Sequence, residues 1–506
     1  MTQKSRCFRN PWFILAILIT CFVPVVIDST VLHMGIPPLT LDLKATGNQV
    51  LWMLDIYSLF MAGLLIPMGV LGDKIGHQKL LFFGVIIFII ASFTAGLSQH
   101  PMHLILSRIL LAVGGSMIMP TTLAIIRQTF QNERDRGIAL GIWVIFANGG
   151  AAIGPLFGGL LIDYFSWRAI FFFNIPILLI AAPFVWFALP KSISDPKKNW
   201  VLRYALLLII AIILLVYCFK IVPRNDETLW MGITAGAIGC ILLYLFYKLQ
   251  HGKEDSMIDW DLMKKPRVKY GMLFTFIPMV ICSGFELLLS QELQLVHHLT
   301  PTNTAFYIAP FFLAFAFSGA LGAYLRKFGI LRIIIAGLIM STIAFFAMSR
   351  MGFAELTLPL LFWLLVSGFG LGIIMLAASF SIMSGADDEN AGAAGSLESV
   401  SYELGVGLGV TIFGVLLSQA FSYKLRFEET VVDKIPKKVY HSINDALVTA
   451  EDMGGEIGTI IQTESKVAFE TAHSTVLLVS SGILLLFAIQ MIVKHIKDRK
   501  TNHFKL

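Results

Sequence analysis

Apolar segments of about 20 residues recur from one end of this chain to the other, and no other feature restricts the fold as strongly. A helix of that length spans the hydrocarbon core of a bilayer. Of the 506 residues, 57% are hydrophobic and only 14% are charged, whereas soluble domains carry about 25% charged residues. The short alternating segments typical of a membrane β-barrel do not occur in the sequence. The pattern therefore predicts an all-α polytopic membrane protein.

The apolar segments predict fourteen spans. Their approximate bounds are 13–35, 51–71, 80–98, 104–126, 138–161, 169–189, 201–221, 229–247, 270–292, 304–325, 330–348, 357–383, 390–418 and 471–493. The first segment follows Lys4, Arg6 and Arg9 and resembles the start of a signal peptide. It continues without a small-residue cleavage site, so we interpret it as a retained span.

The distribution of positive charge predicts the orientation in the membrane. Lys and Arg are concentrated in the tails and short loops that share one side when the N-terminus is cytoplasmic. Cytoplasmic loops are enriched in these residues, which predicts that both termini are cytoplasmic. A long loop at about 419–470 is then periplasmic, either as a solvated insertion or as a cap over the exit. The net charge of +6 follows this topology and does not indicate nucleic acid binding.

Two polar linkers divide the spans into groups of six, two and six. This division predicts an N-terminal six-span bundle at 1–190, two inserted spans at 191–257 and a C-terminal six-span bundle at 258–506. Two six-span bundles around a central cleft are typical of secondary transporters.

Several ionisable side chains lie within the apolar segments, where a charge is unfavourable by roughly 2.5–3.5 kcal/mol on insertion scales. They are Asp28, Asp55, Arg108, Glu286, Glu398 and Glu403. Burial disfavours the charged form of a carboxyl group, so a buried acid can hold a proton until a cation displaces it. We expect Asp28 and Asp55 to couple transport to protons, with Arg108 paired to a carboxylate or to carbonyls. A locally hydrogen-bonded Asp28 and a solvated, interfacial Asp55 are the alternatives.

A second group of residues is predicted to bind the transported cation. Glu286 shares a helix face with Ser283 and Ser290, which forms a polar stripe in an apolar segment. Aromatic faces attract cations and would assist the acids. The predicted substrate-binding residues are Glu286, Glu398, Glu403, Tyr57 and Tyr402. Glu403 points about 140° away from Glu398 around the helix, so the two need not face one cavity.

Other classes of protein find no support in the sequence. It contains no Gly-x-x-x-x-Gly-Lys-Ser/Thr loop, no His-Glu-x-x-His motif and no Gly-x-Ser-x-Gly motif, so neither an ATPase nor another enzyme is predicted. The five cysteines lack the spacing of a zinc site or a disulfide framework. Glu292 is predicted to be interfacial, and the adjacent His297-His298 pair is interpreted as a loop feature. We expect no metal and no cofactor, with the proton gradient as the energy source.

Two sets of glycines indicate conformational motifs. The first set, in the fifth predicted span, consists of Gly150, Gly154, Pro155, Gly158 and Gly159. Glycines at every fourth position allow close helix contact, and the proline bends the axis. Tight packing without a role in conformational change is the alternative. The second set consists of Gly69 and Gly76, with Asp73 between them. Gly76 permits a tight turn, and Asp73 can cap a helix or pair with Arg134 or Arg136.

At these residues the chain resembles the major facilitator superfamily. The loop at 69–79 is similar to its cytoplasmic signature, with Lys74 in place of an Arg and His77-Gln78 in place of Arg-Lys. The glycine pattern at 150–159 is similar to the antiporter motif of drug exporters. Within the superfamily, Asp28-x-Thr30 resembles the motif of the fourteen-span drug/proton antiporters.

The resemblance implies a major facilitator fold of two six-helix bundles plus two extra spans in the bacterial inner membrane. It also implies proton-coupled export of lipophilic organic cations: quaternary ammonium compounds, biguanides, viologens and dyes. The expected partners are the lipid bilayer, these cations and protons, with no nucleic acid, and the chain is expected to be a monomer. Export of one endogenous metabolite or siderophore is the alternative, and a membrane receptor or enzyme is a third hypothesis.

Overall fold

The computed structural model describes residues 10–190, 202–222, 229–253, 256–321, 324, 326–387 and 391–500. Every regular element within these ranges is a helix. Most of the first polar linker and the basic N-terminal tail lie outside the described residues.

Fourteen long helices, numbered α1 to α14, follow one another along the described chain. Their bounds are α1 Pro11–Leu43, α2 Gly47–Ile75, α3 His77–Gly96, α4 Pro101–Thr129, α5 Glu133–Tyr164, α6 Ala169–Ala188, α7 Leu202–Ile221, α8 Leu229–Gln250, α9 Pro266–Gln291, α10 Pro301–Ala320, α11 Ile330–Met348, α12 Leu358–Gly385, α13 Ala391–Lys424 and α14 Gly455–Lys500. The shorter helical segments are Trp260–Lys264, Glu292–Val296, Arg326–Phe328, Glu429–Val432, Lys437–Tyr440 and Ile443–Met453.

Twelve helices, counted over the described residues, are long and apolar enough to cross a membrane. The predicted all-helical membrane architecture is therefore confirmed. The helices α5 and α10 correspond to two further predicted spans but are not among the twelve. The number of fourteen spans remains a prediction.

Local sequence determines several helix boundaries. The side chains of His100 and Thr300 cap α4 and α10 by accepting a hydrogen bond from a backbone N–H of the first turn. Pro101 and Pro301 follow these caps, at a position where no intrahelical N–H bond is lost. Gly76, with φ of 100°, separates α2 from α3.

The helices divide into two compact units. The N-terminal unit contains the described residues of Met1–Leu32, Trp52–Val222 and Glu227–Asp259, and the C-terminal unit contains those of His33–Leu51 and Trp260–Leu506. The helices of the predicted insertion, α7 and α8, belong to the N-terminal unit. The end of α1 and the start of α2 belong to the C-terminal unit.

The connection between α13 and α14 is shorter than predicted. Because α13 continues to Lys424 and α14 already begins at Gly455, it covers 425–454 rather than 419–470. Both helices extend beyond their apolar parts, which are the only parts that hydropathy detects.

The helix Ile443–Met453 in this connection packs against other helices of the C-terminal unit. It buries Ile443 and Ala450 almost completely, and Asp445 accepts a hydrogen bond from the backbone N–H of Gly47 at 3.4 Å. The interpretation as a solvated insertion is therefore wrong for this helix, because its apolar face is covered by protein.

Candidate functional site

Asp28 and Arg108 form a buried ion pair in the N-terminal unit. The guanidinium of Arg108 on α4 contacts the carboxylate of Asp28 on α1, and both side chains are at most 1% exposed. Arg108 Nε also donates a hydrogen bond to the Met53 carbonyl at 3.1 Å. The prediction that Arg108 has a carboxylate or carbonyl partner is confirmed. Such a pair needs both members, because loss of one leaves an uncompensated buried charge.

Tyr57 completes the surroundings of this ion pair. The guanidinium carbon of Arg108 lies 4.4 Å from the centroid of the Tyr57 ring, and the Tyr57 hydroxyl donates to the Val25 carbonyl at 3.3 Å. An aromatic face stabilises a cation placed above it. Tyr57 is fully buried, and the cation that its ring meets is Arg108. Contact with a transported cation remains a prediction.

The glycines of α5 lie against α1 beside Asp28. A Cβ atom at Gly154 would overlap the hydroxyl of Thr30, and one at Gly150 would lie 3.0 Å from a methyl group of Val26. The buried members of the motif are Gly154, Pro155, Gly158 and Gly159. The predicted close helix contact is therefore confirmed, and the partner of α5 is the helix that carries the buried acid.

Asp55 forms a second buried ion pair, with a base that sequence reasoning missed. The Nζ atom of Lys220 on α7 lies 2.6 Å from Oδ2 of Asp55 on α2, and both side chains are at most 1% exposed. The same Nζ atom lies 3.7 Å from the ring centroid of Trp52. The interfacial alternative for Asp55 is therefore wrong, since a lysine replaces water as its partner. The available signal was a lysine inside the seventh predicted span, where lysines usually extend toward the interface.

The connection between α2 and α3 has the predicted geometry. Gly76 adopts a positive φ, which residues other than glycine rarely adopt. Asp73 lies in the last turn of α2, with its Oδ1 atom 3.1 Å from Nε2 of His77. Gly69 lies one helical turn before Asp73, with space for a Cβ atom beside it. The predicted tight turn is confirmed, and Asp73 lies beside the histidine that replaces the usual basic residue.

Glu286 is buried in α9 of the C-terminal unit. It is 3% exposed, and its Oε1 atom has no hydrogen-bond partner among the residues that the structure describes. The serines of its polar stripe are engaged elsewhere, because Ser283 donates to the Val406 carbonyl at 2.8 Å and Ser290 to the His33 carbonyl at 3.2 Å. These hydroxyl groups therefore donate to the backbone rather than to the acid.

The predicted residues of α13 have different surroundings. Glu398 is partly exposed and accepts a hydrogen bond from the Ser379 hydroxyl on α12. Glu403 is 3% exposed. The Tyr402 hydroxyl lies within electrostatic range of Glu403 and Glu286. The structure thus brings Tyr402, Glu403 and Glu286 into one region and gives Glu398 a separate partner.

Glu292 is buried, so the prediction that it is interfacial is wrong. It is 2% exposed, its carboxylate contacts His473 on α14, and its Oε1 atom lies 3.5 Å from Nε2 of His297. The two histidines and the surrounding helices take the place of water. In the part of the chain that the structure describes, no group of three or more His, Cys, Asp or Glu side chains could hold a metal ion.

Two compact units of long apolar helices, with acids and ion pairs buried inside them, define a helical membrane transporter. The chain belongs to the Major Facilitator Superfamily, whose family model matches residues 18–410.

Comparison with individual proteins agrees with this assignment. The methyl viologen resistance protein SmvA of Salmonella typhimurium is 37% identical over 96% of this chain and 98% of its own length. The multidrug efflux pump LfrA of Mycolicibacterium smegmatis is 26% identical over 96% of both chains. These relatives identify a transporter rather than an enzyme, consistent with a multi-pass protein of the bacterial inner membrane.

A solved structure shares the fold. It is a bacterial homologue of the human lysosomal transporter Spinster, in an inward-facing and unoccupied conformation. The TM-score is 0.68 at 18% sequence identity, over 96% of this chain and 98% of that chain. At this identity the likeness concerns the fold alone.

Proposed function

We propose that the chain is a proton-coupled antiporter that exports lipophilic organic cations across the inner membrane. The observation that carries this proposal is Glu286, a buried acid on an apolar helix with one carboxylate oxygen that no described residue hydrogen-bonds. An ionised carboxylate left alone in such surroundings is very unfavourable. Glu286 therefore requires either a proton or a cation, and competition between the two for one acid is the basis of antiport.

The two ion pairs of the N-terminal unit support proton coupling. Asp28 faces Arg108, and Asp55 faces Lys220. Protonation of either acid would remove its attraction for the base and leave a buried positive charge, which is unfavourable. Each pair thus links binding of a proton to a rearrangement of the two helices that it joins.

The proposed substrates are quaternary ammonium compounds, biguanides, viologens and dyes. Similarity to a methyl viologen resistance protein and a multidrug efflux pump supports this class. The acids Glu286 and Glu403 could neutralise a dication, and the Tyr402 ring could contact an aromatic cation. We further propose fourteen spans, cytoplasmic termini, a monomer and the proton gradient as the sole energy source.

Inverted membrane vesicles provide the test. An inside-acid pH gradient is imposed, and methyl viologen, ethidium or benzalkonium is added while the gradient is followed with a fluorescent dye. We expect each cation to dissipate the gradient in vesicles that contain the protein. No response to any of them would contradict the proposal and favour a specific endogenous metabolite or siderophore as the substrate.

Glu286→Gln should impair the transport of dications more than the transport of monocations, because a divalent charge needs more than one acid to neutralise it.

A further inference from the structure

A cluster of acids and histidines lies in the C-terminal unit, apart from the residues assigned above. Glu292 is the first residue of the π-helical segment Glu292–Val296, which continues α9. Its carboxylate contacts Nδ1 of His473 on α14 and lies 3.5 Å from Nε2 of His297. Glu292 and His473 are at most 3% exposed as side chains. Among the described residues, the two histidines are its only basic partners.

The π-helical backbone explains how one acid meets both histidines. The backbone N–H of His297 donates to the carbonyl of Glu292 at 3.2 Å, five residues away, so the wider turn returns His297 to the side of the acid. Single π-helical turns of this kind are rare in proteins, and those that occur are often found at functional sites. His473 reaches the same carboxylate from a helix 181 residues further along the chain.

His473 is arranged so that one ring nitrogen remains open. Its Nδ1 atom contacts the Glu292 carboxylate, which orients the ring and favours the tautomer with hydrogen on Nδ1. Its Nε2 atom has no hydrogen-bond partner among the described residues. The ring stacks on Phe353 with centroids 4.9 Å apart and planes at 16°, and an aromatic face favours a cation above it. An imidazole held in this way can accept a proton at Nε2.

The cluster has a connection to the surface. The His297 side chain is 15% exposed and lies 3.8 Å from Glu470, which is 46% exposed. Both residues lie between solvent and the buried Glu292. Two further titratable side chains near the cluster have other partners. Lys466 contacts His298 at 2.7 Å, and the Tyr307 hydroxyl donates to the Phe353 carbonyl at 2.8 Å. The charged side chains of the neighbouring loop, Arg350 and Glu355, are exposed.

We propose that Glu292, His473 and His297 form a proton-binding site of the C-terminal unit, with His297 and Glu470 on its solvent side. A proton from solvent binds Nε2 of the neutral His473 imidazole, and the net charge of the Glu292–His473 pair changes from −1 to zero. The site rests on the proposed function in that its proton is part of the transport cycle. It is distinct from the acids of α1 and α2.

The first test measures how transport depends on pH. Cation export is followed between about pH 5.5 and 8.5, the range in which histidines titrate, for the wild type and His473→Gln. Glutamine retains a hydrogen bond to Glu292 but does not accept a proton. We expect the midpoint of the pH profile to shift by at least about one pH unit or the profile to flatten. His298→Gln, which changes a histidine bound to Lys466 instead, should keep the wild-type profile. An unchanged profile in His473→Gln would overturn the proposal.

The second test does not depend on transport. The full-length protein is purified with isotopically labelled histidines, and the ring signals are recorded by NMR as pH is varied. The signal lost in His473→Gln, one of 11 histidines, identifies the residue. We expect this signal to change between the neutral and the protonated form as pH is varied, and the change to differ in Glu292→Gln because the counter-charge is removed. A signal that does not titrate would overturn the site, whereas a titrating His473 without cation-driven proton flux would contradict only the proposed antiport.

Discussion

At the scale of single residues, Asp28 neutralises a guanidinium that backbone carbonyls and the Tyr57 ring otherwise enclose. Asp28→Asn preserves the size of the side chain and removes its charge. Breaking a buried ion pair from one side is unfavourable by about 3–5 kcal/mol. We expect a lower melting temperature in detergent and at least about tenfold lower transport driven by a pH gradient. Glu133→Gln, at a side chain that is 93% exposed, is the control and should change neither quantity. Full transport by Asp28→Asn would show that Asp28 does not couple transport to protons.

A second residue-scale prediction concerns His297 and the pH dependence of stability. The hydrogen bond to the Glu292 carboxylate, aided by the negative charges of Glu292 and Glu470, raises the pKa of His297. The folded state therefore binds this proton more tightly than the unfolded state, and the stabilisation is fully present below the ordinary pKa of about 6.5. It is lost as pH rises through the raised pKa. We expect His297→Gln to lower the melting temperature at about pH 5.5 and to have little effect at about pH 9.

His298 supplies the control for that measurement. Burial and the nearby positive charge of Lys466 lower the pKa of His298. The folded state therefore binds this proton less tightly than the unfolded state, and acid pH destabilises the folded state. His298→Gln should therefore not reproduce the loss at acid pH and should act in the opposite direction. Equal losses in both variants would show that packing rather than charge is responsible.

At the scale of elements, the contact between α5 and α1 depends on the missing side chain of Gly154. Gly154→Ala would place a Cβ atom on the Thr30 hydroxyl, and overpacking of this kind is unfavourable by about 1–3 kcal/mol. We expect a lower melting temperature and slower transport. Gly149→Ala is the matched control on the same helix, because nothing lies within 4 Å of its Cβ position. The control should be neutral or slightly stabilising, since alanine favours helix by about 0.5–1 kcal/mol.

The ion pair between Lys220 and Asp55 joins α7 to α2, and a double-mutant cycle tests it. Lys220→Met and Asp55→Asn each remove one buried charge and leave its partner in place. We expect both single variants to be less stable than the double variant, because the double variant leaves neither charge buried. Melting temperatures of the four proteins in detergent give the comparison. Additive losses would contradict a direct pairing.

At the scale of the whole molecule, the testable property is sidedness. In a variant without its native cysteines, Lys437→Cys lies in the connection before α14 and Arg134→Cys lies at the start of α5, both at exposed positions. We expect a membrane-impermeant maleimide to label Lys437→Cys in intact spheroplasts and Arg134→Cys only after permeabilisation. The opposite labelling would reverse the orientation that the positive charges predict.

Some features were predictable from sequence because their cause is local. An apolar run of about 20 residues satisfies its backbone groups in lipid only as a helix, and Gly76 marks a turn because only glycine adopts its φ readily. The partners of buried charges have no such local cause. Lys220 and His473 lie on helices distant in sequence from Asp55 and Glu292, and helical phase does not predict which distant helix a given face will meet.

The sequence by itself determined that this chain is a helical membrane protein, which acids lie in its apolar spans and which helix is lined with glycine. Each of these follows from composition or spacing within one segment. Tertiary structure alone decided that Asp55 meets Lys220 rather than water and that Glu292 is buried against two histidines. The reason is physical: a buried charge is stable only beside its counter-charge, and packing of the helices decides which side chains become neighbours.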